Sequence, residues 1–298
     1  MGLIFKAWGL DGSLQSLNDF ARWHGNGVQD DIENVTPEIL GDRSELVHED
    51  GAAAVVMRRH AGDPIAGFGK RTEFAANGGY SHLHDWVGEG VAGADAARAV
   101  RWYRTTFKTA PGFPTAFLAS SGSWCILTQI HQVEDDSPAD TVGNPSLQIG
   151  LSQDGFGRVV FIIRRNIDTD PTSTVYVKNT HTQEIVTWPY REDEWQDILI
   201  QARWSYSSAG YCTIYRNRRP IFIETGAPNT PNNSPARGGG GNYDKFGIYT
   251  SEDAEMEVYQ RGIIIGDHAA TFADMYPELP GAVPLERVSG PVAAGGAW

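Results

Sequence analysis

From about Leu46 to Ile265 apolar and polar residues alternate with a period of two, in short runs separated by turn clusters. That period belongs to strands with one buried face, whereas an amphipathic helix repeats every three to four residues. The pattern predicts strands over Ala53 to Arg59, Gly69 to Phe74, Val100 to Lys108, Trp124 to Gln132, Ser146 to Leu151 and Arg158 to Arg164. Further strands are predicted over Thr174 to Lys178, Asp197 to Trp204, Tyr211 to Arg216, Lys245 to Thr250 and Glu257 to Ile265. With β-branched and aromatic residues throughout and no strand-helix-strand rhythm, the expected class is all-β: a two-sheet antiparallel β-jelly roll, a β-sandwich with a concave cleft. A short helix is expected around Ser16 to Trp23, and the glycine-rich stretch Asn229 to Gly241 reads as a connector or, alternatively, a lid. The expected organisation is an N-terminal segment (1–45) packing on the domain, a β domain (46–268) and a Pro/Gly-rich tail (269–298).

Alternation also sorts side chains by face. In Trp124 to Gln132 it places Trp124, Ile126, Thr128 and Ile130 on one face, read as core, and Cys125, Leu127, Gln129 and His131 on the other. By the same spacing Arg71 sits beside Glu73, and Lys245 beside Gly247 and Tyr249. A cation, an amide, an imidazole and a phenol on one sheet face are what removal of a proton next to a carboxylate requires. A bland reading stands beside each: a satisfied structural histidine, an in-sheet Arg71–Glu73 ion pair, a packed tyrosine.

The formal charge of −13 over 298 residues argues against a nucleic-acid partner and asks for a locally positive cleft if the substrate is anionic. No run approaches the ~20 apolar residues of a membrane span, and the start shows no export signal. Cys125 and Cys212 read as two buried thiols, with a single bridge as the alternative. His82-x-His84-Asp85 has metal-ligand types without a third distant partner and is read as a polar loop, so no metal site is expected. Nine tryptophans suit a non-catalytic carbohydrate-binding jelly roll, and Glu192-Asp193-Glu194 with the run Glu252 to Glu257 offers acids to a glycoside hydrolase. Both acidic runs read as solvated turns or strand edges.

Arg71-Thr72-Glu73, Gln129-Ile130-His131 and Tyr243-x-Lys245-x-Gly247-x-Tyr249 resemble the three signature blocks of the alginate lyases of polysaccharide lyase family seven, in the family's order. Lys245-Phe246-Gly247-Ile248-Tyr249, with Trp195 and Trp204-Ser205 before it, is also similar to the wider jelly-roll clan of glucuronan lyase and heparin lyase I. The first block has Ala75 where an arginine is usual, and the last ends in Thr250-Ser251 where Asn-Gln is usual. The resemblance implies β-elimination on a uronic-acid polymer, an anionic polysaccharide, by a monomer that needs no cofactor. It implies Arg71 and Gln129 as neutralisers of the substrate carboxylate, Tyr249 as the acid, either Tyr249 or His131 as the base, with help in neutralising the carboxylate as the alternative for His131, and Lys245, Glu73 and Tyr243 as substrate contacts. Such polymers lie outside cells, so the expected place of action is extracellular, reached by an export signal not in this sequence, by a virus particle or on lysis.

Overall fold

The computed structural model describes residues 3–7, 44–62, 70–76, 100–132, 145–167, 182–205, 208–229 and 242–276. In chain order its strands are β1 (Leu3–Ala7), β2 (Ser44–Glu49), β3 (Ala52–Arg59), β4 (Lys70–Ala76), β5 (Val100–Thr109), β6 (Cys125–Gln132) and β7 (Leu147–Gln153). They continue as β8 (Val159–Asn166), β9 (Thr182–Pro189), β10 (Gln196–Arg203), β11 (Tyr211–Arg216), β12 (Arg219–Thr225), β13 (Asn242–Thr250) and β14 (Met256–Gly266). Among the described residues one sheet has eight strands, in the order β12-β11-β10-β5-β14-β3-β2 with β1 also pairing β14, and the other has six, in the order β4-β13-β6-β7-β8-β9. Neighbouring strands pair antiparallel throughout. This is the all-β, two-sheet jelly roll that the alternation predicts.

The two sheets meet through one apolar core. The eight-stranded sheet contributes Met57, Tyr103, Phe107, Ile198, Ile200, Trp204, Ile214 and Val258, and the six-stranded sheet contributes Leu127, Ile130, Ile149, Phe161, Ile163, Phe246 and Ile248. Each such side chain, fully buried, stabilises the fold by about 1.5–3 kcal/mol before the entropy of ordering is subtracted. The largest residue retains its polar bond: Trp204 Nε1 donates to the Tyr103 hydroxyl at 3.0 Å inside the core. Cys125 and Cys212 are both buried there as thiols outside any disulfide, and burial pushes the Cys212 thiol up to about 12.

Every predicted strand that falls within the described residues is present. The segment Thr174 to Lys178 lies outside them, as do the helix expected at Ser16 to Trp23 and the connector beyond Asn229. Four strands were not predicted, namely β1, β2, β9 and β12, and among the described residues each has a strand partner on one side only. An edge strand is half solvated, so its sequence has less reason to alternate cleanly. β12 even starts Arg219-Pro220, a residue tolerated at an edge because its missing N–H leaves no ladder bond unmade in the interior.

The outer face of the eight-stranded sheet has its own cover. Residues 267–276 bring Ala270, Phe272, Met275 and Tyr276 onto Trp102, Leu199, Ile264 and Tyr215. Arg104 fastens them, donating from Nη1 to the Met275 carbonyl at 2.9 Å and lying 4.1 Å over the Tyr276 ring.

Candidate active site

The outer face of the six-stranded sheet has a different character. β13 lies between β4 and β6. Phe246 and Ile248 enter the core, so Lys245, Gly247 and Tyr249 take the opposite, outward face. On β4 the residue opposite Tyr249 is Arg71, opposite Gly247 is Glu73 and opposite Lys245 is Ala75. On β6 the residue opposite Lys245 is Gln129 and opposite Tyr243 is His131. Directly opposed antiparallel residues lie about 4.5–5.5 Å apart, so three remote segments place all seven expected site positions on three adjacent strands.

Lys245 and Gln129, directly opposed, are 4 % and 2 % exposed. Tyr249 is half-buried, and the Trp124 ring meets it edge-on with centroids 4.4 Å apart and planes at 70°. Trp124 is held in turn by the two residues that follow Tyr249. Thr250 Oγ1 donates to the Trp124 carbonyl at 3.0 Å, the Ser251 N–H donates to the same carbonyl at 3.1 Å, and the Trp124 N–H donates to Ser251 Oγ at 3.1 Å. The pair that departs from the alginate-lyase pattern therefore stitches the start of β6 to the end of β13.

One expectation from strict alternation is corrected here. Cys125 and Leu127 point into the core together with Ile130, while Trp124 and Ile126 stand on the outward side with Tyr249. The cause is a β-bulge: the register of β6 slips against β7 between Ile126 and Thr128, and against β13 between Phe246 and Tyr249. Leu127 is one residue extra against β7, and β13 is in turn one residue longer than β6 here, with Gly247 and Ile248 standing against Leu127; the faces of β6 invert at this point, so Leu127 points in and Gln129 out. Two glycines make room. Gly247 has φ +136°, a conformation that other residues rarely adopt, and a Cβ on Gly150 would lie 2.2 Å from the Cys125 carbonyl oxygen. Glycines inside two predicted strands were the sequence signal for this bulge.

The same register row runs on past Gln129. Gln148 on β7 stands opposite Gln129, Arg164 on β8 opposite Gln148, and Glu184 on β9 opposite Arg164. Arg164 Nη2 donates to Ser152 Oγ at 3.0 Å and to Glu184 Oε1 at 3.1 Å. Sequence reading passed over these residues because no signature block includes them, although their alternation was visible.

The acidic runs are engaged elsewhere, so the solvated turns expected there make specific contacts. Asp193 binds Lys108, Glu194 binds Arg216, Glu255 accepts the Ala61 N–H and Glu257 accepts Arg58. Among the described residues no group of three His, Cys, Asp or Glu is placed to hold a metal; His82, His84 and Asp85 lie outside them. The face thus offers an ammonium, amides and a phenol: groups that neutralise a carboxylate and pass protons.

The sequence profile of the polysaccharide lyase family matches residues 18–267. No curated protein sequence matches the chain. Among solved structures, an endo-β-1,4-glucuronan lyase from the fungus Trichoderma reesei superposes with a TM-score of 0.56 at 14 % identity, covering 93 % of this chain and 100 % of that one. The alginate lyase Aly36B superposes with a TM-score of 0.50 at 11 % identity, covering 89 % of this chain and 95 % of that one. At such identities the likeness is one of fold, and it is the profile, running through both sheets and the whole of β13, that carries the assignment. This chain belongs to the polysaccharide lyase family, and is an enzyme of that family built on a jelly roll.

Proposed function

We propose that the enzyme cleaves a uronic-acid-containing anionic polysaccharide such as glucuronan or alginate by β-elimination, leaving unsaturated uronate ends. The observation that supports this most is the register of β13 between β4 and β6, which sets Lys245 opposite Gln129, Tyr249 opposite Arg71 and Tyr243 opposite His131.

In such a polymer the C5 hydrogen lies α to the carboxylate, and its removal builds negative charge on that carboxylate. Arg71 and Gln129 are assigned to neutralise it, since a preorganised donor aimed at developing charge contributes ~10²–10³ in rate. Glu73 orients Arg71, and Lys245 and Tyr243 hold the sugar. Tyr249 gives its proton to the departing oxygen at C4. Where the C5 hydrogen and the leaving oxygen lie on the same side of the ring, Tyr249 also takes the C5 proton; where they lie on opposite sides, His131 takes it. A well-placed acid or base contributes ~10²–10⁴. The polymers concerned lie outside cells, and so does the proposed place of action.

The test is a screen of glucuronan, alginate and heparin-type polymers for a product absorbing in the ultraviolet, repeated with His131→Ala and Tyr249→Phe. Wild-type protein is expected to yield unsaturated ends from at least one polymer and both variants to lose most of that yield with an unchanged melting midpoint. Saturated ends, or undiminished activity in either variant, would overturn the reading.

A further inference from the structure

We propose that Arg164 is a carboxylate subsite, seating a uronate of the polymer some rings away from the bond that is cut; this rests on reading the site as that of a uronate lyase. Arg164 belongs to the outward row Lys245, Gln129, Gln148, Arg164, one residue from each of four consecutive strands. Adjacent strands are about 4.8 Å apart, close to the advance of one sugar ring along an extended polysaccharide. A chain laid across the strands, with its reacting uronate at Lys245 and Gln129, passes over the half-buried Gln148 amide and brings a later ring to Arg164.

The guanidinium is prepared for a carboxylate. Its side chain is 22 % exposed, and its polar contacts among the described residues both use Nη2, to Ser152 Oγ at 3.0 Å and to Glu184 at 3.1 Å. Nε and Nη1 have no partner among the described residues; a bidentate carboxylate pairs one of them with Nη2, taking over the Nη2 hydrogen bond that Glu184 now accepts. Ser152 keeps the group over the sheet. Glu184, 62 % exposed on an edge strand, is the carboxylate that a uronate would replace, one anion for another. In a protein of net charge −13, a cation in this row also draws an anionic chain to this face.

Arg164→Ala tests the subsite against substrates of graded length. On the polymer, KM is expected to rise about tenfold with kcat unchanged, the loss of one charge-assisted contact. On the shortest oligosaccharide still cleaved, which does not span from Lys245 to Arg164, no change is expected. Equal KM at every length, or an equal fall of kcat at every length, would overturn the subsite. A second arm does not depend on turnover: in affinity electrophoresis, His131→Ala should be retarded by the uronate polymer, and His131→Ala combined with Arg164→Ala less so. Equal retardation would refute the subsite even if the lyase reading holds, whereas weaker retardation of the double variant, together with a wild-type protein that makes no unsaturated ends, would refute the lyase reading alone.

Discussion

Lys108 and Lys245 are both buried, 1 % and 4 % exposed, and both stand on a strand face turned away from the core, one on each sheet. Their surroundings differ. Lys108 meets Glu49 and Asp193 at 2.5 Å and Asp50 at 3.0 Å, with the rings of Trp195 and Tyr259 each 5.3 Å away. Trp195 Nε1 donates to Asp50 at 2.6 Å, and Arg261 lies 4.0 Å over the Trp195 ring. Burial alone would pull the Lys108 pKa down, but hydrogen bonds to Asp193, Glu49 and Asp50 outweigh it and hold the ammonium well above its ordinary value. Around Lys245 the directly opposed positions are an amide, Gln129, and an alanine, Ala75, and Glu73 stands opposite Gly247, two residues on along the strand. Three carboxylates close over Lys108 as a structural cage, whereas the Lys245 face sets one carboxylate position, Glu73, among Arg71, Gln129 and Tyr249. What distinguishes the two faces is the chemistry of the neighbours, since burial is the same in both places.

The largest effect expected is on catalysis. Tyr249→Phe should cost ~10²–10⁴ in rate with no change in melting midpoint, while Lys108→Met should leave the rate per folded molecule unchanged. A rate loss in Lys108→Met at full stability would break the comparison. Next, Lys108→Met should destabilise the fold by up to about 3 kcal/mol in urea titration, the low end for breaking a buried ion pair because the three carboxylates are partly exposed.

The cage should also show in the pH dependence of stability. Asp50 is held below its ordinary value by the Trp195 hydrogen bond and then by Lys108, so its contribution is present above about pH 4 and is lost as pH falls through the lower folded value. Lys108 is shifted upward, so its contribution is complete below the ordinary lysine value, about pH 10.4, and fades only as pH rises past it. Melting followed from pH 7 to pH 3 should therefore fall less steeply in Lys108→Met than in wild type; equal slopes would mean that the cage is not coupled to Asp50.

Gly247→Ala, forced into φ +136° at the bulge, should cost about 1–3 kcal/mol and reduce activity as well, because the same bulge sets Tyr249 against Trp124. Thr250→Val, which removes the hydroxyl bond to the Trp124 carbonyl, should cost about 1 kcal/mol in the same titration. A larger effect of Thr250→Val on rate than on stability would sharpen the case for the stitch as part of the site's geometry.

Much of the fold was legible because the central strands, such as β5, β6 and β10, bury one face fully and so must alternate. β9 and β12 were not, because at a sheet's edge both faces are partly wet and few positions are constrained. In the site, the spacing Lys245-x-Gly247-x-Tyr249 and the pair Gln129 and His131 could be read directly, since residues two apart share a face over any uninterrupted stretch. Trp124 was misplaced because the bulge at Leu127 interrupts its strand. Arg164 stood in a predicted strand with nothing to connect it to the others.

By itself the sequence determined the all-β class, the residue types available for chemistry and which near neighbours share a strand face. Those are local properties, set by the two-residue repeat of extended backbone. Only the tertiary structure decided that β13 lies between β4 and β6, that one extra residue turns Leu127 inward and leaves Gln129 outward, and that carboxylates close over Lys108 while Gln129 faces Lys245. Strand order and register are chosen by hydrogen bonds and packing between segments distant in the chain, and no short-range pattern encodes that choice.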